Sequence, residues 1–327
     1  MSTTQRNSWG DERSGLKQNE QEPGSRMMNQ QGNLRDRQRV LNALSYAWDR
    51  LDEQVGLDEL ADRAHLSAFH FHRVFLKVTG ETPQAHLRRL RLERAATSLK
   101  YGSVSVTDVA GAAVYDSREG FTRAFAAHFG CSPTAFRHRA QQDIERIVAD
   151  RRVQAAVMPV SIGEFPAWHV AFWRQYGPYT GVGRAWLELG RWAKARGLLT
   201  EDAAFLGVSY DDEGITPRQH LRYDACLTIP GDVAADGVLG VQDLPGGLFA
   251  IAEYEGYPLG LIHAWNWLLW CWWYGSDWHA RDIRCYDIHP AQRLPTTHLE
   301  ALALAVRRIR CRLLLPVSRY VTPDLLL

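Results

Sequence analysis

The chain has 327 residues, 46% of them hydrophobic, with a formal net charge of +1 at pH 7. That length favours two domains over one and that apolar content can fill sizeable cores, while the balanced charge forces no class of partner. The five cysteines stand at 131, 226, 271, 285 and 311 without a CxxC pair, which excludes a disulfide framework or a zinc ribbon and predicts free thiols in a reducing compartment.

The first 33 residues are rich in Gln, Asn, Gly and Ser and contain no apolar h-region. They read as a disordered tail, not a signal peptide. The most apolar stretch, from Leu259 to Tyr274, is too short to span a bilayer. A soluble, cytoplasmic protein is expected.

From Gly56 the segment GLDELADRAHL is amphipathic, and SAFHFHRVFLKVTGETP follows from Ser67. Ser67 predicts a helix N-cap, with its side-chain oxygen accepting from a free amide. Phe71 and Phe75 fall on one helix face and point to a core. Gly80 suits a left-handed C-terminal position, and Pro83 prevents the helix from continuing. His70 and His72 invite a metal reading, but two helical residues i and i+2 lie about 200° apart around the axis and cannot share an ion. No metal and no cofactor is expected. Next, PQAHLRRLRLERAATSLK predicts a long helix with Leu87, Leu90 and Ala95 inward and Arg88, Arg89, Arg91 and Arg94 in solvent. Then VSVTDVAGAAVY, from Val104, and SREGFTRAFAAHFGCSP, from Ser117, repeat the first pattern. Ser67, Phe71, Arg73, Phe75, Gly80 and Pro83 recur as Ser117, Phe121, Arg123, Phe125, Gly130 and Pro133, all at an offset of 50. Such identity at one offset is an internal repeat. Each copy reads as helix, tight turn and capped second helix, the layout of a helix-turn-helix.

These residues, from about Leu41 to Arg139, closely resemble the DNA-binding domain of AraC/XylS-type regulators, including the RLERAATSL linker helix. The resemblance implies two helix-turn-helix units joined by one long helix and bound to consecutive major grooves of double-stranded DNA. By position it assigns base reading to Phe69, His72 and Arg73 in the first unit. In the second unit it assigns Arg118, Glu119, Thr122 and Arg123. Arginine can read guanine O6 and N7, and an apolar ring can touch a thymine methyl. The single departure is the second turn, where the family usually has glycine before an aromatic and this chain has Val114 before Tyr115. A β-branched residue disfavours positive φ, so an altered second turn or weaker engagement of the second unit is expected.

Residues 141–152 are polar and helix-prone and read as a linker after a DNA-binding domain at 34–140. Beyond 153 strand-like runs appear: AWHVAFWRQY, FLGVSY, RYDACLTIP, GLFAIAEYEG, IRCYDIH and RRIRCRLLLPV. Two helical runs, VGRAWLELGRWAKARG and LGLIHAWNWLLWCWWYG, lie among them. Gly177, Gly181, Ala185, Trp186 and Leu189 recur at an offset of 79 as Gly256, Gly260, Ala264, Trp265 and Leu268. The predicted fold is therefore multidomain. An all-α double helix-turn-helix domain precedes an α+β domain of two pseudo-twofold-related strand–helix–strand–strand units, spanning 153–327.

The runs YGPYTGVGRAWLELGRWA, YDDEGITPRQHLRYDACLTIP and GGLFAIAEYEGYPLG resemble GyrI-like ligand-binding domains. That resemblance implies sensing of a bulky cationic or aromatic effector, and in some relatives hydrolysis of a reactive small molecule. It places the family's acidic ligand counter-ion on Asp287, one methylene shorter than the usual Glu. In LIHAWNWLLWCWWYG, α-helical periodicity puts Ile262, Trp265, Leu269, Trp272 and Trp273 on one face, toward the sheet. Trp267, Trp270 and Tyr274 fall on another face, which is core, interface or cleft wall. If it is a cleft, indole faces would hold a cation, with Asp287, Glu253 or Glu255 completing the site and Tyr179 as a further wall. The ligand-binding candidates are thus Tyr179, Trp267, Trp270 and Asp287. The tail alternates Arg308, Arg310 and Arg312 with Ile309, Cys311 and Leu313, as a half-exposed strand would, after an unusually long apolar stretch. The reading is a DNA-binding transcription regulator with a small-molecule effector, not an enzyme, with RNA polymerase as a candidate partner. The alternative is a hydrolase carrying a DNA-binding appendage.

Overall fold

The structure is a computed structural model that describes residues 36–319 apart from 38, 49, 103, 234–238, 281–283 and 290–293. The expected disordered tail at 1–33 lies outside the described residues.

The N-terminal half is helical. Helix α1 covers residues 39–48, and α2 (Leu57–Arg63) and α3 (Ala68–Thr79) form the first helix-turn-helix. Helix α4 (Pro83–Tyr101) leads to α5 (Val106–Ala112) and α6 (Arg118–Phe129), the second unit, and then to α7 (Pro133–Ala149) and α8 (Arg151–Gln154). The predicted punctuation is present in both copies. Ser67 accepts from the His70 amide and Ser117 from the Gly120 amide. Gly80 and Gly130 end α3 and α6 at φ 80° and 71°, a conformation that L side chains enter only at a cost. Thr82 and Ser132 cap the following helices, each with a proline in its first turn.

Phe71 and Phe75 are buried in one core, and Phe121 and Phe125 in another. Helix α4 serves both: Leu87 and Leu90 enter the first, and Leu92, Ala95, Ala96 and Leu99 the second. A helix that feeds two cores has no single apolar stripe, so one of its charged residues is also drawn inward. Arg89, expected in solvent, is 6% exposed. It holds Glu81 at 2.6 Å and Glu93 at 2.9 Å, with His86 buried beside it. Partnered on both sides, the guanidinium tolerates burial that an unpaired one would not.

The expected altered turn is not found. Val114 sits at φ 60°, matching His65 at φ 52° in the first unit. In both turns the chain closes on the last helical carbonyls: Tyr115 N donates to Ala110 O and Leu66 N to Ala61 O. The packing of α5 on α6 imposes the left-handed residue, and the β-branched side chain bears the strain.

The C-terminal half is one antiparallel sheet. Its strands are β1 (Val160–Phe165), β2 (Trp168–Tyr176), β3 (Phe205–Ser209), β4 (Arg222–Thr228), β5 (Gly240–Leu244), β6 (Gly247–Gly256), β7 (His279–Ala280), β8 (Cys285–His289) and β9 (Ile309–Ser318). The order is β1-β6-β9-β8-β3-β4-β2-β5, with β7 on the end of β9. Helix α9 (Gly183–Ala195) links β2 to β3, α10 (Leu261–Asn266) follows β6, and α11 (His298–Val306) precedes β9. The two strand–helix–strand–strand units are related by a pseudo-dyad between β3 and β8, where Gly207 pairs with Asp287. The unpredicted strands β1 and β5 obey the same symmetry: Phe165 pairs with Gly247 on β6 and Leu244 with Trp168 on β2. Each unit thus places its leading strand beside the other unit. The predicted alternation in β9 is present, with Ile309, Cys311 and Leu313 buried and Arg310 exposed on Glu255 at 2.7 Å.

The aromatic helix departs from its predicted phase. After Asn266 the chain widens into a π-helix over Trp267–Trp273. One extra residue per turn breaks the 3.6 period. Already in α10, upstream of the widening, the buried stripe is turned from the expected one: Ala264 and, four residues on, Leu268 are the fully buried contacts of the sheet, while Ile262, expected in the core, is 46% exposed. Trp270, placed with Tyr274 by simple periodicity, is buried, and Tyr274 is exposed.

Candidate functional site

Two surfaces stand out, one at the outside of the helical half and one between the halves. On α3, Phe69 is 79% exposed, far from what a large ring prefers, and Arg73 is exposed with His72 half-buried beside it. On α6, Arg118, Glu119 and Arg123 are exposed and Thr122 is half-buried. All seven candidate base-reading residues therefore lie on the second helix of a helix-turn-helix, away from Phe71, Phe75, Phe121 and Phe125 of its core. The bridging helix α4 has 19 residues, so it runs about 28 Å, comparable with the roughly 34 Å of one duplex turn.

The second surface is a cavity of about 700 Å³ between the halves. One wall is the end of α4 with Lys100 and Tyr101, and α7 with Arg139, Asp143 and Arg146. The facing wall comes from the sheet domain: Tyr179, Asp212, Trp265, Trp270 and Trp273. The wall residues are fixed from both sides. The Tyr101 ring stacks on Trp270 with centroids 4.9 Å apart and planes 16° apart, and Trp273 lies 6.0 Å away. Tyr101 donates its hydroxyl to Asp212 at 2.8 Å, and the Lys100 ammonium reaches the same carboxylate at 2.6 Å. Tyr179 donates its hydroxyl to the Asp211 carbonyl at 2.8 Å. Asp211 in turn holds Arg222, whose guanidinium lies 3.9 Å from the Trp48 ring centroid on the helical half. Burial pushes the hydroxyls of Tyr101 and Tyr179 well above the usual tyrosine range, so both stay neutral donors.

Of the four ligand-binding candidates, Tyr179 and Trp270 line this cavity, and Trp267 and Asp287 do not. Trp267, the first residue of the π-helix, is partly buried against the core on that side of the sheet. Asp287 is 6% exposed on the sheet floor, where the Tyr223 hydroxyl lies 3.5 Å away and a ring nitrogen of His289 contacts its carboxylate. The alternative carboxylates lie elsewhere: Glu253 is exposed, and Glu255 is paired with Arg308 and Arg310. Lys100, Tyr101, Asp212 and the α7 residues were not expected at a ligand site. Nothing local marks them, because they come together only through contacts between segments remote in sequence. Among the described residues no group of three His, Cys, Asp or Glu could hold a metal ion. No described helix is long and apolar enough to cross a membrane.

The architecture defines a class, a paired helix-turn-helix domain fused to a pseudo-symmetric α+β domain. Residues 60–139 match the family described as "Helix-turn-helix domain", and residues 158–301 match "GyrI-like small molecule binding domain". The chain belongs to the AraC-type regulators with an appended GyrI-like domain. It is 30% identical over 106 residues to the Transposon Tn10 TetD protein of Escherichia coli, a match covering 32% of this chain and 77% of that protein. It is 31% identical over 132 residues to the Right origin-binding protein of Escherichia coli (strain K12), covering 40% of this chain and 44% of that one. The match thus spans less than half of that relative. Among solved structures, the DNA-binding domain of AdpA in complex with a target DNA is 30% identical, with 32% of this chain and 94% of that one covered and a TM-score of 0.31.

Proposed function

We propose that this protein is a ligand-responsive transcription regulator that reads an asymmetric double-stranded DNA site with α3 and α6. Its effector is a small aromatic molecule, best a cation, held in the interdomain cavity. The observation that carries this reading is the shared wall: the helix that joins both DNA-reading units also closes the aromatic cavity of the sensor domain. A molecule bound there touches both halves at once, so its binding energy can differ between two arrangements of the reading units, which is what a regulatory ligand requires.

In this reading Phe69, His72 and Arg73 probe one major groove and Arg118, Glu119, Thr122 and Arg123 the next, while the arginines of α4 still in solvent, such as Arg88, sit near phosphates. Trp270 and Tyr179 wall the effector site. Asp287, held by His289 and Tyr223 on the sheet floor, makes no direct contact with the effector in this reading. RNA polymerase is a candidate partner of the DNA-bound form.

Selection from a random DNA pool with purified protein supplies the site. Arg73→Ala and Arg123→Ala are then each expected to lose about 1–3 kcal/mol of affinity for that site and to relax preference at one base position, with little change on unrelated DNA. Unaltered preference in both variants would overturn the assignment of α3 and α6.

A further inference from the structure

The end of α4 puts a particular chemistry into the cavity wall. Lys100 and Tyr101 are adjacent, and both engage the same two groups of the sensor domain, Trp270 and Asp212. The Tyr101 ring lies flat on Trp270, its hydroxyl and the Lys100 ammonium share the Asp212 carboxylate, and that ammonium is 5.2 Å from the Trp270 centroid. Trp273 closes the subsite, and its indole N–H is buried without a hydrogen-bond partner. An aromatic slab with a carboxylate at its rim is a receptor for a flat ring carrying a positive charge. The chain fills it with one of its own.

The same contact fixes the reading units. The loop that supplies Asp212 continues into Ile215, which is buried in the core of the second helix-turn-helix with Leu99 and Phe136. Thus the second unit is clamped to the sensor domain through α4 and this loop. Loss of the Tyr101 contact would free the C-terminal end of the helix that spaces the two units.

We propose that Lys100 and Tyr101 are a built-in competitor for the effector. They occupy the Trp270–Trp273–Asp212 subsite in the resting protein, and an aromatic cation displaces them and thereby unclamps the second helix-turn-helix. This rests on the effector reading above and adds to it how binding is transmitted. If the subsite is self-occupied for about nine-tenths of the time, the apparent affinity for an added ligand is reduced about tenfold.

The test uses the full-length chain and benzyltriethylammonium as probe, with benzoate as the anionic control, followed by calorimetry. Tyr101→Ala is expected to bind the cation about tenfold more tightly than the unaltered protein, and Trp270→Ala more weakly than the unaltered protein. Lys100→Gln leaves the ring in place and removes only the competing charge. It is expected to tighten binding by a smaller factor, and it serves if Tyr101→Ala fails to fold. In a second arm, the cation changes the affinity of the unaltered protein for its selected DNA site and leaves that of Tyr101→Ala unchanged. Binding of the cation that neither Tyr101→Ala nor Lys100→Gln improves would overturn the competitor while leaving the effector reading intact. Absence of binding to every variant would overturn both.

Discussion

At the scale of single residues, the most informative positions are those where local preference loses to packing. Val114 holds a left-handed backbone that costs an L residue about 1–2 kcal/mol. Val114→Gly is expected to raise stability by about 1 kcal/mol, part of the relief being offset by the extra freedom of glycine in the unfolded chain. A denaturant midpoint that falls would show that the valine methyls contribute more packing than the backbone loses. The buried cluster on α4 makes a second prediction. Burial pushes the Glu93 carboxyl up to about 7 despite Arg89 beside it, and burial pushes the His86 imidazole down to about 4 against the pull of Glu81. Burial alone would raise Glu81, but hydrogen bonds from His86 and Arg89 hold it down at about 2. Glu93 binds its proton more tightly folded than unfolded, so its contribution to stability is complete below its ordinary value of 4.5 and is lost as pH rises through about 7. His86 binds its proton less tightly when folded, so its contribution is lost as pH falls from 6.5 through about 4. Glu81 contributes above 4.5 and loses that contribution only below it. Between pH 4.5 and 6.5 Glu93 and His86 therefore oppose each other. Glu93→Gln removes one side, and its melting temperature is expected to climb with pH across this window more steeply than that of the unaltered protein. Parallel profiles would show that Glu93 takes up no proton there.

At the scale of elements, caps, glycine stops and the paired phenylalanines were legible because they repeat with their spacing intact. The α3 and α6 boundaries follow from Ser67, Gly80, Ser117 and Gly130 alone. The aromatic helix was not legible, because a π-turn changes the angular step and nothing in WNWLLWCWW announces it. Strands β1 and β5 escaped because VSIGEF and GVQDL are short, mixed edge segments whose partners are remote in sequence. Arg89 was misplaced since its neutralising groups, Glu81 and Glu93, are visible as partners only once α4 is packed. The two central strands show the opposite case, where symmetry forbids equality. Asp287 fills the space above Gly207, and a Cβ there would lie 2.0 Å from the Tyr223 hydroxyl and 2.5 Å from both Asp287 oxygens. Gly207→Ala is expected to cost about 1–3 kcal/mol of stability by overpacking. Chemical denaturation would reveal this, and an unchanged midpoint would mean that Tyr223 and Asp287 have room to retreat.

At the scale of the whole molecule, the sequence distinguished the two halves but not the seam between them. The seam is made of side chains that are ordinary in their own segments: Trp48 under Arg222, His220 near Glu81, and Lys100 and Tyr101 on Asp212 and Trp270. The exchange of β1 and β5 across the pseudo-dyad carries a separate consequence. Because each repeat completes its neighbour's border, a chain half the length of this domain could close the same sheet by embracing an identical copy of itself. The present domain therefore has the form of a fused homodimer. Within one chain the two sides of the central pair can differ, here glycine and aspartate, an asymmetry closed to any assembly of identical subunits.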